Sequence, residues 1–342
     1  MPLVETYQAV RRKALDRVPV PLWRRLVRRD VISLYYHMIS DRELPHVSSI
    51  GSYKDEVQFE ADLAYLSENG HLLSYDELRR HRLYGRRVPG GAIHITFDDG
   101  FRECGENACP ALRRQAASAT FFIPTDFIDN RDLIWVHKIA VCVDRVRRAA
   151  PETIAAVIAT INGRFGAGLD RRAALVAWLN GLRQIHGSEI ERACEALGVD
   201  PADYLRTYRP YLTQCQIERM AADGFTIGAH TTSHCLLEEL SHPEDIEREI
   251  VESCRIIADI TGRKQVPFAF PFHGFGVDRA LLADIRRRHD VIGLIFDTGQ
   301  LRRDREFVVH RVPADRTRHC RPGESNMPFL LRRAYADEQR LL

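Results

Sequence analysis

The chain has 342 residues, 45 % of them hydrophobic and 28 % charged, with a formal net charge of +2. That balance fits a globular protein able to bury a sizeable core, and it excludes a disordered polyelectrolyte or a chain whose overall field attracts nucleic acid. No run approaches the roughly 18 apolar residues of a membrane span, so neither a nucleic-acid partner nor a membrane span is expected.

The opening segment, "MPLVETYQAVRRKALDRVPVPLWRRLVRR", lacks the uninterrupted apolar core of a secretory signal. Residues 1–30 read as an N-terminal helical segment, and the expected location is cytoplasmic. Eight cysteines, at 104, 109, 142, 194, 215, 235, 254 and 320, contain no Cys-x-x-Cys pair and are expected to be free thiols.

From there short apolar runs alternate with amphipathic stretches. The predicted strands are "VISLYYHMI", "AIHITF", "ASATFFIP", "FTIGAH", "VPFAFPF", "VIGLIF" and "FVVHRV". "SYDE" from Ser74 and "SHPE" from Ser241 read as capping boxes, with Glu77 and Glu244 reaching back. Gly70 and Gly262 read as helix stops. About seven strands joined by helical crossovers predict an α/β fold, an irregular (β/α) barrel.

One segment departs from this rhythm. Between 131 and 212 only helical periodicity is found, as in "AALVAWLNGLRQI" and "EIERACEALGV", with Trp135 expected in a core. The predicted organisation is a segment 1–30, a discontinuous barrel over 31–130 and 213–320, a helical insertion over 131–212 and a tail over 321–342. An insertion on a barrel loop is expected to shape substrate entry and to favour a small or linked-sugar substrate.

Chemistry concentrates at strand ends. "GAIHITFDDG" finishes a buried strand in Asp98 and Asp99, where Asp-Asp-Gly is ordinary turn chemistry unless other groups join it. "GAHTTSH" places His230 and His234 four residues apart, on one face if the chain turns helical there. The carboxyl ends of barrel strands gather active sites. Two imidazoles and one carboxylate can hold a metal ion with positions left open, while the neighbouring carboxylate acts on water. "FAFPFHG" is either a buried strand with its turn or the wall of a groove, and "SLYYH" places His37 at the end of the first strand.

"TFDDG", "HTTSH" and "FAFPF", with flanks such as "FEADLAYLSENGHLLSYDEL" and "ACPALRRQAASATFFIP", resemble the polysaccharide deacetylase (NodB-homology) family of metal-dependent carbohydrate esterases. The resemblance runs over roughly 30 to 130 and 210 to 313 and implies a seven-stranded barrel of NodB-homology type. It makes Asp98 the general base and Asp99, His230 and His234 the ligands of one divalent metal ion, with Zn²⁺ the expected species. Thr231 would support the histidine loop, and Pro271 and Phe272 would line the groove.

Two departures follow. Many members carry an arginine where this chain has Ala269, and Arg311 in "HRVPAD" is the candidate substitute from another strand. The late leucine–x–histidine motif supplying the acid has no secure counterpart, since the "VVH" ending at His310 fits it poorly. "LYYH" instead matches the circularly permuted motif order, which assigns the acid to His37. The implied reaction is hydrolysis of an N-acyl amide, most simply N-acetyl, on an amino sugar. A small non-polymeric metabolite as substrate, or a non-catalytic carbohydrate-binding relative, are the alternatives.

Overall fold

The computed structural model describes residues 19–20, 22, 31–51, 53–298, 304–315 and 324–339. The segment expected over 1–30 therefore lies almost wholly outside the described residues, as does Cys320. The chain forms two compact units, one of residues 1–40, 53–125 and 214–342, the other of residues 41–52 and 126–213.

The first unit contains eight parallel strands: β1 (Val31–Tyr36), β2 (His71–Leu72), β3 (Ala92–Phe97), β4 (Ala119–Ile123), β5 (Thr226–Ala229), β6 (Val266–Ala269), β7 (Ile292–Asp297) and β8 (Val308–Pro313). Their order is β1-β8-β7-β6-β5-β4-β3-β2, and a further pairing of β1 with β3 closes seven of them into a barrel. The closing register runs from Val31↔Ala92 to Tyr36↔Phe97. β2 lies outside the ring, paired to β3 alone. Every residue of β3, β4 and β7 is buried, as expected of parallel strands covered on both faces. The predicted seven-stranded barrel is the observed one.

Helices alternate with the strands along the chain. In chain order they are α1 (Glu56–Asn69), α2 (Tyr75–Tyr84) and α3 (Cys109–Arg114). The second unit then contributes α4 (Trp135–Arg148), α5 (Pro151–Phe165), α6 (Arg172–Gly181), α7 (Gly187–Leu197) and α8 (Pro201–Tyr208). The barrel unit resumes with α9 (Gln214–Ala222), α10 (Pro243–Thr261), α11 (Arg279–Arg288) and α12 (Met327–Gln339).

The cap at Ser74 is a full capping box, with Glu77 and Ser74 each accepting from the other's backbone N–H. The box expected at Ser241 does not form: α10 starts one residue later, with His242 as its cap and Pro243 in its first turn. Proline's fixed φ and missing N–H suit that position without a side-chain cap. Gly262 ends α10 at φ 68°, whereas Gly70 leaves α1 extended at φ −149°.

A buried polar network joins α1 to the start of α12. Lys54 bonds Asp62 and, at 2.6 Å, Asn326 Oδ1; Asp62 also accepts from Tyr36 (3.1 Å) and Ser325 (2.6 Å). Paired and hydrogen-bonded in this way, two charges can sit in a core.

The second unit has its own apolar core, including Val143, Val146, Ile161, Leu175 and Leu179, with Trp135 packed against it. Segment 41–52 belongs to this unit, where His46 Nδ1 lies 2.8 Å from the Tyr204 hydroxyl. His137 is buried against the Tyr211 hydroxyl at 2.6 Å. The seven described cysteines are all free, and only Cys215 is exposed.

Candidate active site

The β1–β3 ladder extends one residue past the strands, with the Asp98 N–H donating to the Tyr36 carbonyl at 2.9 Å. The chain then turns sharply, Asp99 and Gly100 adopting φ 69° and 64°. A Cβ at Gly100 would lie 3.0 Å from the Ile123 methyl, so glycine fits both the conformation and the space. The turn chemistry of Asp-Asp-Gly is thus used, and the turn sets two carboxylates side by side at the mouth of the barrel.

β5 delivers the histidines. The His230 N–H donates to the Ile123 carbonyl at 3.1 Å, and the Thr231 carbonyl accepts from the Thr125 N–H at 3.2 Å. The segment is not helical, contrary to the conditional expectation from the spacing. Thr231 and His234 instead sit at φ 62° and 55°, and this kinked loop turns both imidazoles toward Asp99. Such left-handed conformations are strained for non-glycine residues and concentrate at functional sites. Asp99, Thr231, His234 and Phe272 all adopt one here.

Asp99 Oδ1 lies 3.0 Å from His234 Nε2 and 3.4 Å from His230 Nε2. The ligand atoms of this buried trio fall within 4.8 Å of one another. His230 Nδ1 is 2.9 Å from the Ala269 carbonyl, which fixes the tautomer and leaves Nε2 facing Asp99. Burial pushes the His234 ring down toward neutral imidazole, against the pull of Asp99. Burial also opposes ionisation of Asp99, but the two histidines outweigh it and hold its carboxyl well below the usual range. Two imidazole nitrogens and a carboxylate converging on one point are a donor set that could hold a divalent metal ion with positions left open. The residues fit such an ion.

Arg311, from β8, meets Asp98 bidentately, Nη1 to Oδ1 at 2.6 Å and Nη2 to Oδ2 at 2.9 Å. Its guanidinium also donates to Thr96 Oγ1 at 3.0 Å and lies 5.0 and 5.2 Å from the ring centres of Tyr35 and Phe122. At position 269 itself an alanine stands, contributing its carbonyl to His230.

His37 follows β1, and 41 % of its side chain is exposed. Its Nδ1 lies 2.5 Å from Asp315 Oδ2, and its backbone N–H reaches Oδ1 of the same carboxylate at 3.4 Å. Burial lowers the basicity of the imidazole, but the hydrogen bond and charge of Asp315, with Asp99 and Asp98 behind them, raise its pKa to about 10. Asp315 lies two residues beyond the end of β8 in the "HRVPAD" stretch and was not singled out from the sequence. An aspartate just after a strand is an ordinary turn residue, and only the closure of β8 on β1 gives it this partner.

Pro271 is buried, and Phe272 is 40 % exposed with its ring 5.2 Å from that of His234. Thr298 Oγ1 donates to the Phe272 carbonyl at 2.6 Å. His310 is engaged elsewhere: its Nε2 lies 3.0 Å from Asp304, which also accepts from Arg279 at 3.0 Å.

These groups gather at the carboxyl ends of β1, β3, β5, β6 and β8, the end at which (β/α)-barrel enzymes carry their active sites. The family description "Polysaccharide deacetylase" matches residues 85–159 and 207–288. Among solved structures, a deacetylase from Streptococcus pyogenes, PplD in complex with acetate, is similar at 15 % identity and TM-score 0.52, covering 83 % of this chain and 91 % of that one. IcaB from Ammonifex degensii is similar at 14 % identity and TM-score 0.52, covering 90 % and 96 %. A de-N-acetylase from Aggregatibacter actinomycetemcomitans gives 14 % and 0.50, covering 82 % and 93 %. No curated protein matches the chain significantly. Over those two stretches the chain matches the polysaccharide deacetylase family, whose members are hydrolases of carbon–nitrogen bonds other than peptide bonds. Members of the family act on carbohydrates and are generally metal-dependent. No helix among the described residues is long and apolar enough to cross a membrane.

Proposed function

We propose that the protein removes an N-acyl group, most simply N-acetyl, from an amino sugar, with Asp98 as base, His37 as acid, and Asp99, His230 and His234 holding one divalent ion, Zn²⁺ first among the candidates. The observation that carries this reading is the bidentate Arg311–Asp98 pair beside the Asp99–His230–His234 trio. Bound there, a divalent ion polarises the acyl carbonyl and makes water more acidic.

The chain's own groups do the rest. Arg311 holds both oxygens of Asp98, and each oxygen keeps a further lone pair free. Asp98 can therefore take a proton from the attacking water without losing its orientation. Turn amides near residues 101–103 are candidate donors to the developing oxyanion. His37, kept protonated by Asp315, gives its proton to the departing amine nitrogen. Phe272, half-exposed over His234, offers a sugar ring an apolar face. PplD, solved in complex with acetate, holds the acid that an N-acetyl group would leave.

A panel of N-acetylated monosaccharides, nucleotide-linked sugars and oligosaccharides, assayed for new amine, tests the substrate class. Amine from at least one of them supports the reading. Release of reducing ends without amine, or amine only from N-acylated compounds that contain no sugar, contradicts it. The retained pairs around Asp98 and His37 argue against a non-catalytic binding protein.

A further inference from the structure

The loop that carries the two histidines is gripped from outside by a single carboxylate. Glu249, in the second turn of α10, accepts from the Thr232 N–H (2.8 Å), the Thr232 hydroxyl (2.7 Å) and the Ser233 N–H (3.1 Å) through Oε2. The Ser233 hydroxyl donates to Oε1 at 2.9 Å. These four bonds fall on the dipeptide between the histidines. On either side stand Thr231 and His234, the residues with φ of 62° and 55°. Strain that lies on both sides of a pinned dipeptide is strain the pin resists.

The geometry points to Glu249 as a positioning residue for the metal site, setting how tightly His230 and His234 hold a divalent ion by fixing the loop between them. It touches no ligand directly and acts through Thr232 and Ser233. The inference rests on the proposed role of Asp99, His230 and His234 as metal ligands. His230 is anchored independently, by β5 and by the Ala269 carbonyl. His234 lies beyond the end of β5, on the loop whose middle Glu249 pins, and its imidazole reaches Asp99 from there. Partners that hold ligands from behind commonly change metal affinity by roughly 10–100-fold when removed.

The chemistry of the grip explains why a carboxylate is used. Two backbone amides and two hydroxyls present four donors, and a carboxylate is acceptor-only with room for all of them. A glutamine there would turn an N–H₂ group toward donors, and an aspartate would be one methylene short of the loop.

The test is a titration of the full-length, metal-stripped protein with Zn²⁺ against a chromogenic chelator, with fold checked by circular dichroism and thermal melting. Glu249→Ala should bind Zn²⁺ roughly 10–100-fold more weakly than wild type, and Glu249→Gln should fall between. Glu252→Ala, an exposed change on the same helix, should match wild type. Should Glu249→Ala fail to fold, Glu249→Gln carries the comparison. A lowered melting temperature with unchanged affinity would make Glu249 a stability residue only and overturn the inference. A wild type that binds no divalent ion would overturn the metal reading and this inference together, whereas tight wild-type binding matched by the Glu249 variants overturns this inference alone.

Discussion

Arg311 holds Asp98 from two strands away: β8 pairs with β1, β1 pairs with β3, and the guanidinium reaches both oxygens of the carboxylate that ends β3. The guanidinium is buried, within 5.0 and 5.2 Å of the Tyr35 and Phe122 ring centres and bonded to Thr96. Arginine is suited to this because its planar fork matches a carboxylate and stays charged when buried.

Arg311→Lys should therefore keep the charge but lose the fork, with kcat falling by roughly 10-fold or more while metal content stays at the wild-type level. Arg311→Ala leaves Asp98 without its partner in a buried site, and loss of one member of such a pair costs about 3–5 kcal/mol. Denaturant unfolding should register that loss. A stable, fully active Arg311→Ala would remove Arg311 from the account of the base.

The two adjacent aspartates should separate cleanly. Asp98→Asn is expected to retain the metal and lose roughly 10²–10⁴-fold in rate. Asp99→Asn should release metal first and lose activity for that reason. Elemental analysis of both variants beside wild type distinguishes them, and the opposite pattern would exchange their roles.

The pH dependence follows from His37 and Asp315. Burial works against protonation of the imidazole, yet Asp315 raises its pKa to about 10, so the proposed acid stays protonated at neutral pH. Asp315→Asn removes the largest raising influence, and the alkaline limb of the rate profile should move to lower pH. Stability has the same sign. The histidine's contribution is present below its unfolded pKa of about 6.5 and is lost as pH rises toward the folded value of about 10; at the acid end the pair is lost again as Asp315, whose carboxyl burial pushes up, takes a proton. His310→Ala should leave the rate profile in place, since His310 is bonded to Asp304. An unmoved alkaline limb in Asp315→Asn, or activity lost only in His310→Ala, would take the acid role from His37.

The buried Lys54–Asp62 pair makes a prediction about the fold alone. Asp62→Ala leaves a fully buried ammonium with the Asn326 side-chain oxygen and, 5.9 Å away, the Tyr36 ring. The expected cost is about 3–5 kcal/mol in unfolding free energy, measured by urea or guanidinium titration. A change below about 1 kcal/mol would mean that the network is relieved by water.

What the sequence made legible follows from how local each signal is. "TFDDG" and "HTTSH" were readable because their residues lie within a few positions of one another and at strand ends. The barrel was readable from seven apolar runs, although β2, two residues long, was not. The backbone path of the histidine loop was hidden, because left-handed conformations at Thr231 and His234 have no signature in non-glycine residues. Arg311 could be nominated but not assigned, since its reach to Asp98 depends on ring closure. Asp315 and Glu249 went unseen for a related reason: each meets its partner only after a long-range packing step. The cap at Ser241 was misread because Pro243 begins α10 without a side-chain cap.

In the proposed reaction this site cleaves an N-acyl group from an amino sugar, with a metal held by Asp99, His230 and His234 and a proton taken by Asp98. The most direct measurement is amine formation from an N-acetylated amino-sugar substrate by four samples: wild type, chelator-stripped wild type, stripped protein given back Zn²⁺, and Asp98→Asn with its metal content verified. Amine should form in the first, vanish in the second, return in the third and stay nearly absent in the fourth. Amine that forms equally well after stripping, or from metal-replete Asp98→Asn at the wild-type rate, would contradict the claim.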